Sequence, residues 1–498
     1  MAGIKSLMKD TAIYGLSSIV GRFLNWCLVP LYTLKFPVAE YGVVTYVYSV
    51  VALALIILTY GMETGFFRFA NHERWKDPMQ VYSTCLISLA VSSTAFVAAV
   101  LLFLRPVTSW MQCSGHASYV VIMAFCVAID AFTALPFSYL RYRKRPIRFA
   151  YIRLVNIGIN IGLNLFFILA CPALMKSAPS LVGWFYRPEF GIGYIFLSNL
   201  IASVVTLLML YNELHGFRWS FNGRLWREIL KYSAPLLVLG VAGIMNQTLD
   251  KILLPYLLAD KATSDYMLGI YGANYKIAIV MVMFTQAFRF AYEPFIFARS
   301  REQGETKNQA YSDAMKYFVI FSLLIFIGVM FYIDILRYFI SPRYFSGLKV
   351  VPVVMMAELF FGVFFNLSLW YKLSDKTVWG MWFSLMGLAV TVFLNVVLVP
   401  VMGYMGCAWA AFSCYGVMML VSYFVGQAKY PIRYPLKSIG LYTLLAAGAY
   451  VLGRYVIVTP SAAVNYFVRA LIIIEYVIII LKRENLSLPH LPGLLKKK

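Results

Sequence analysis

Gln80–Leu104, QVYSTCLISLAVSSTAFVAAVLLFL, runs for 25 residues without an Asp, Glu, Lys or Arg. Coiled as an α-helix it is about 37 Å long, enough to cross the roughly 30 Å hydrocarbon core of a bilayer. It lacks the strict alternation of a barrel strand, and a helix satisfies every backbone N–H and C=O within the segment. Stretches of the same kind recur on both sides of it. They predict about fourteen spans, near 12–34, 41–62, 80–104, 117–140, 147–170, 190–211, 231–257, 267–290, 311–333, 348–371, 377–401, 404–427, 436–457 and 462–481.

Composition agrees. Hydrophobic residues make up 61% of the 498 and charged residues only 13%, with a mean hydropathy of +0.76, far from the balance of a soluble domain. The fold class expected is therefore all-α integral membrane, with short connections and no soluble domain between spans. Met1–Asp10 is short and basic, but the apolar run that follows is too long for a signal peptide. The seven cysteines have no paired spacing and the four histidines are scattered, so neither a metal site nor a disulfide framework is expected.

The net charge of +22 invites a nucleic-acid reading. Its distribution argues against one. Alternate loops differ roughly threefold in Lys and Arg content, the rich side including Lys5, Lys9, Arg141, Arg143–Arg145, Arg218, Arg224, Arg227 and Lys496–Lys498. Under the positive-inside rule both termini are cytoplasmic, and the basic excess reports topology and contact with anionic headgroups of membrane lipids.

The two halves resemble each other at an offset of about 221 to 231 residues. Leu7–Ala12 parallels Ile229–Ala234, Phe67-Arg68-Phe69-Ala70 parallels Phe288-Arg289-Phe290-Ala291, and Leu163-Asn164 parallels Leu394-Asn395. An even number of spans per repeat keeps both halves in one orientation, related by a pseudo-twofold along the membrane normal. Residues 1–215 are expected to form an N-terminal six-helix lobe and 216–430 a C-terminal one. Residues 431–498 add two helices and a basic cytoplasmic tail. Two facing bundles leave a cleft, the geometry of alternating access.

A charge at mid-bilayer costs about 2.5 to 3.5 kcal/mol, so Arg22, Arg153, Asp250 and Lys276, all inside expected spans, must meet water or partners. Arg22 aligns with Ile244, Asp250 with Leu28 and Lys276 with Ser49. These charges break the repeat, as a binding site would. Arg68 and Arg289 keep it, and with Glu63 and Glu293 they are expected to gate or anchor the cytoplasmic ends. Asn25 shares a helix face with Arg22, and Asn246 and Gln247 lie beside Asp250. Arg153, Asn156, Asn160 and Asn164 form a stripe, which could equally bond between helices, and Gly158 and Gly162 suggest close packing there. Asp250 and Glu358 are candidates for a coupling ion, although Asp250 could be the counter-ion of Arg22 or Lys276. Arg469 and Glu475 are weaker candidates.

Three deep cations against one deep carboxylate favour an anionic substrate, and the Arg fork suits phosphate. Tyr46, Tyr48, Tyr271 and Tyr275 could stack on sugar rings or simply pack. A phosphate-linked glycan on a lipid tail fits such a cleft.

Lys9–Gly15, Gly21-Arg22-Phe23-Leu24-Asn25, Val29–Thr33, Ala39–Gly42 and Tyr60–Arg68 resemble the opening of bacterial polysaccharide-biosynthesis flippases. These belong to the multidrug, oligosaccharidyl-lipid and polysaccharide exporter superfamily. The resemblance implies a multi-pass inner-membrane protein that moves undecaprenyl-diphosphate-linked oligosaccharide repeat units, of O-antigen or capsule, to the periplasmic leaflet. Arg22 matches the first-span arginine with which lipid II flippases hold the diphosphate. Lys276 extends that role by chemistry only. Substrate contacts are thus expected at Arg22, Asn25, Arg153, Lys276, Asn246 and Gln247. The resemblance further implies Na⁺ or proton coupling without other cofactors, and polysaccharide polymerase machinery as a partner. Two pseudosymmetric bundles already complete a cleft, so a monomer is expected.

Two other readings compete. One is a cation-coupled drug or small-molecule antiporter of the same superfamily, disfavoured by the basic cleft. The other is a membrane glycan polymerase or ligase. The longest outward loop, about Cys171–Phe190, holds only Lys176, Arg187 and Glu189 as charged groups. No nucleophile motif is visible, so no catalytic residue is assigned and no enzyme is expected.

Overall fold

The computed structural model describes residues 15, 19–72, 74–75, 77–113, 115–214, 219–299, 305–373, 376 and 378–484, except the side chains of 291, 293–299, 305–307, 372 and 373. Among the described residues the protein is all-helical, without a strand. Its principal helices are α1 (Val29–Lys35), α2 (Val38–Thr59), α3 (Met62–Ala70), α4 (Pro78–Leu102), α5 (Ala117–Tyr142), α6 (Pro146–Leu165), α7 (Gly193–Met209) and α8 (Gly223–Leu257). They continue as α9 (Lys261–Arg299), α10 (Glu305–Phe331), α11 (Val350–Leu367), α12 (Val378–Met402), α13 (Tyr404–Lys429), α14 (Leu436–Val451) and α15 (Ala462–Arg483).

Twelve helical segments among the described residues are long and apolar enough to cross a membrane, and α7, at 17 residues, is a shorter apolar helix. The start of the first expected span lies outside the described residues. Residues 19–26 are helical, and a turn at Cys27–Leu28 separates them from α1.

Local chemistry sets the boundaries. The Asp77 carboxylate accepts from the Met79 N–H at 2.9 Å, and Pro78, which has no N–H to satisfy, opens α4. The Asn222 side chain accepts from the N–H groups of Arg224 and Leu225 to start α8. Between α2 and α3 the backbone turns left-handed at Tyr60 and Gly61, and the Tyr60 hydroxyl is tied to Ser88 at 2.7 Å.

The first part of one expected loop, about Cys171–Phe190, is helical instead. Beyond α6 a π-turn covers Phe166–Ala170, and a helix resumes over Cys171–Ser177. Pro172 falls in the first turn of that renewed helix, where a missing N–H costs little.

The chain divides into two compact units, Met1–Ala273 with Thr377–Cys414, and Asn274–Lys376 with Tyr415–Lys498. Within the first, α8 follows α2 and α3 along their length. Ile229 and Ser233 fill the space a side chain at Gly65 would need, Gly240 lies against Ile56, and Tyr46 meets Tyr256 through their hydroxyls at 2.9 Å. On another face α8 packs against α12, where the Asn246 amide donates to the Ser384 carbonyl at 3.0 Å. Met62, Phe66, Tyr82, Leu89, Leu225 and Ile229 are fully buried between α3, α4 and the start of α8.

Within the second unit, α14 and α15 are fastened to α10 at both ends. At one end Glu484 accepts from Lys316 and from the Tyr442 hydroxyl, each at 2.5 Å. At the other, Asp334 is bonded by Arg454 and, at 3.4 Å, by buried Arg469. Arg469 also donates to the carbonyls of Gly453 and Phe331. Its charge is thereby committed to the scaffold, and Glu475 is exposed.

Candidate functional site

The asparagine stripe of α6 rests on 3.6-residue periodicity, which aims Asn156, Asn160 and Asn164 at neighbouring helices. Asn156 donates to Thr206 at 2.8 Å and Asn160 to Asn199 at 3.1 Å, both on α7. Asn164 donates to Asn160 and accepts from the Tyr32 hydroxyl at 2.9 Å, while Asn199 donates to Tyr48 at 3.3 Å. The stripe is interhelical bonding that joins α1, α2, α6 and α7. The glycines do not serve that packing. A Cβ at Gly158 or Gly162 would have no atom within 4 Å, so the expectation of close approach there is corrected.

Asp130, in the middle of α5, was legible as a deep carboxylate in its own span and escapes the list of four charges drawn from the sequence. One carboxylate oxygen accepts from Ser203 on α7 at 2.7 Å, and the Cys126 thiol lies 3.8 Å from the other. Arg153 on α6 is near enough for the two charges to interact. Its guanidinium lies over the Phe137 ring at 4.1 Å, and the residue is exposed. The ratio of three deep cations to one acid is therefore corrected: with Lys251, Asp130 and Glu358 counted, four cations (Arg22, Arg153, Lys251 and Lys276) stand against three carboxylates (Asp130, Asp250 and Glu358).

Asp250 has a nearer partner than the sequence suggested. The Lys251 ammonium sits 3.1 Å from its carboxylate and also donates to the Gln247 carbonyl at 3.0 Å. The Tyr271 hydroxyl donates to the other carboxylate oxygen at 2.6 Å. Asp250 and Lys251 are both more than nine-tenths buried. Adjacent residues on a helix point about 100° apart, so the long lysine stem must curl back to close the pair. Such a buried pair, with each partner further hydrogen-bonded, meets the condition under which buried charge is tolerated.

Elsewhere in the first unit, Glu63 accepts from Arg141 at 2.7 Å and from Ser138 at 3.0 Å, joining α3 to α5. Arg68 stacks on Tyr232 at 4.1 Å. Arg22 and Asn25 are exposed on the helical segment 19–26. In the second unit, Arg289 stacks on Phe365 at 4.5 Å, the Tyr275 hydroxyl donates to buried Glu358 at 2.7 Å, and Lys276 is half-buried. The side chain of Glu293 lies outside the described residues.

The seven cysteines are free thiols. Among the described residues no cluster of three or more His, Cys, Asp or Glu could hold a metal ion. What the arrangement offers is membrane-embedded charge. Asp250 is paired with the adjacent Lys251, Asp130 accepts from Ser203 and lies near Arg153, and Glu358 accepts from Tyr275.

A sequence profile described as polysaccharide biosynthesis protein matches residues 7–297. Among solved structures, the fold is similar to that of a lipid II flippase MurJ in an inward closed conformation. The TM-score is 0.73 at 14% identity, over 96% of this chain and 99% of that one. It is also similar to a multidrug resistance MATE family transporter of the MOP superfamily, inward-facing, with a TM-score of 0.64 at 14% identity, over 84% and 94% of the two chains. An outward-facing transporter of that description gives 0.59 at 15% identity, over 86% and 98%. A sequence search of curated proteins finds no match.

Proposed function

The chain belongs to the polysaccharide biosynthesis protein family, within a superfamily of flippases and transporters, and we propose that it flips undecaprenyl-diphosphate-linked oligosaccharide repeat units. The movement runs from the cytoplasmic to the periplasmic leaflet of a bacterial inner membrane, by alternating access. The observation that carries this reading is family membership spanning more than half the chain. The cations Arg22, Arg153 and Lys276 within the helices support it, because a diphosphate must be neutralised wherever it leaves water. Arg22 is the residue we assign to the diphosphate. Asn25 and Gln247, exposed on their helices, supply hydrogen bonds that a sugar can use, whereas the Asn246 amide is committed to the Ser384 carbonyl. Arg68 and Arg289, stacked on aromatic rings, serve with Glu63 and Glu293 as end anchors.

Coupling to a proton or Na⁺ gradient falls to Asp130 or Glu358 in this reading. Lys251 already neutralises Asp250, which removes the need for an external cation there. The protein works as a monomer beside the polysaccharide polymerase machinery and has no catalytic role of its own. Asp130 also favours a second reading, cation-coupled antiport of small molecules, because a further deep carboxylate makes the interior less basic than the sequence suggests.

The test is the sidedness of lipid-linked repeat units in a deletion strain, complemented with wild type or Arg22→Ala. Units held on the cytoplasmic leaflet, rescued by wild type and not by well-expressed Arg22→Ala, support flipping and the assignment of Arg22. Normal sidedness in the deletion strain, with no redundant flippase present, rejects the function. Restored glycan sidedness with lost drug efflux in Arg22→Ala favours the antiporter.

A further inference from the structure

Within the second compact unit, α10, α11, α13 and α14 enclose a cavity of about 330 Å³ whose walls are nearly all carbon. Val319, Met356, Phe360, Val363 and Ile439 are among the residues lining it. Leu420, Phe424 and Leu436 also line it, and they are 51%, 66% and 53% exposed. The cavity therefore opens at the helix surface through apolar side chains. A space of this size and lining suits an aliphatic chain and offers little to a polar solute.

The chain immediately beyond that mouth carries Lys429, Arg433 and Lys437, all exposed and in no ion pair among the described residues. Lys429 ends α13, Arg433 lies in the connecting loop and Lys437 is in the first turn of α14, and the loop between them is held in place. Ser312 donates to the Arg433 carbonyl at 2.9 Å, and Gln427 donates to the Ile432 carbonyl at 2.7 Å. The two nearby carboxylates, Asp313 and Glu484, both engage Lys316 and do not spend the loop's charge. An apolar cavity thus adjoins a run of exposed cations, the combination an anionic lipid needs for its chain and its headgroup.

We propose that this cavity takes an acyl chain of an anionic phospholipid, with its phosphate held by Lys429, Arg433 and Lys437. The site is separate from the residues assigned to the glycan and stands whether or not the flippase reading does. Charge complementarity selects an anionic headgroup, and the apolar lining selects an acyl chain.

The experiment uses full-length protein purified in detergent, with bound lipid measured by mass spectrometry. Exchange is then followed with labelled phosphatidylglycerol, phosphatidylcholine and a neutral polyprenol. Wild type is expected to retain phosphatidylglycerol in preference to phosphatidylcholine. Each cation removed should weaken that lipid about fivefold, the equivalent of about 1 kcal/mol per charge at a membrane surface. Val363→Trp, which fills the cavity, should release the lipid while the loop stays intact. Should Val363→Trp not fold, the surface triple variant Lys429→Ala, Arg433→Ala, Lys437→Ala provides the decision alone. Equal retention of phosphatidylcholine, or retention unaffected by the triple variant, overturns the proposal. So does stronger binding of neutral polyprenol, which assigns the cavity to an isoprenoid tail.

Discussion

Gly42 and Gly269 meet each other's helices reciprocally. A Cβ on Gly42 would stand 1.9 Å from the Asp265 carbonyl oxygen, and one on Gly269 would stand 2.0 Å from that of Val38. Each contact falls four residues before the opposite glycine, so the crossing of α2 and α9 has local twofold symmetry. The two glycines are 227 residues apart, the same offset that pairs Lys276 with Ser49. The internal repeat thus has a physical counterpart, a backbone-to-backbone contact that any side chain would break.

Gly42→Ala is expected to force α2 and α9 apart. Overpacking at a tight contact costs about 1–3 kcal/mol, and a lower thermal midpoint of purified protein should report it. Tyr46, buried near this crossing and bonded to Tyr256, is the reporter position. With Cys27→Ser as background, Tyr46→Cys should react faster with a thiol reagent once Gly42→Ala is added. Unchanged midpoint and labelling would mean that the crossing yields to a methyl group.

Lys251→Met leaves the buried Asp250 carboxylate uncompensated, and breaking such a pair costs about 3–5 kcal/mol. The double variant Asp250→Asn, Lys251→Met removes both charges and should recover most of that loss. Thermal unfolding of the two single variants and the double completes a mutant cycle. Additive losses would contradict the pairing.

Asp130→Asn preserves shape and removes the titratable carboxylate. Where Asp130 carries a coupling proton, transport driven by a pH gradient in proteoliposomes should fall by about tenfold or more, the loss of one essential proton carrier. Ser203→Ala, which removes only the donor to that carboxylate, should have a smaller effect. Full gradient-driven transport by Asp130→Asn would transfer the coupling role to Glu358.

Burial raises the Asp334 carboxyl, but hydrogen bonds and charge from Arg454 and Arg469 outweigh it and hold it below the usual carboxylate range. Glu484 is likewise held low, burial being outweighed by Lys316 and Tyr442. A depressed folded value contributes stability above the unfolded carboxylate value of about 4. That contribution is lost as pH falls through the folded value. The thermal midpoint should therefore hold from neutral pH to about 5 and drop below about 4. Asp334→Asn should start lower at neutral pH and lose less on acidification. Parallel curves for the two proteins would refute the role of this clamp.

Residence in lipid, helical structure and an internal repeat were all legible in the sequence, because each depends on composition within about twenty residues or on similarity along the chain. Gln80–Leu104 illustrates this, since its lack of charge dictates a buried backbone whatever it packs against. Asp130 lies at mid-span and is equally legible as a charge, but one carboxylate among apolar neighbours carries no motif that assigns it a role. Pairing was not legible. The spacing of Asp250 left Arg22 and Lys276 open as partners, and the structure selects the adjacent Lys251. The glycines reversed roles in the same way. Gly158 and Gly162, spaced as a packing motif, face open space, whereas Gly42 and Gly269, far apart in sequence, touch the opposite backbones. Transfer into a membrane is decided by how much apolar surface each segment carries, a local quantity. Which charge meets which, and which glycine is crowded, depends on the rotation and crossing of whole helices, and only the packed tertiary structure sets those.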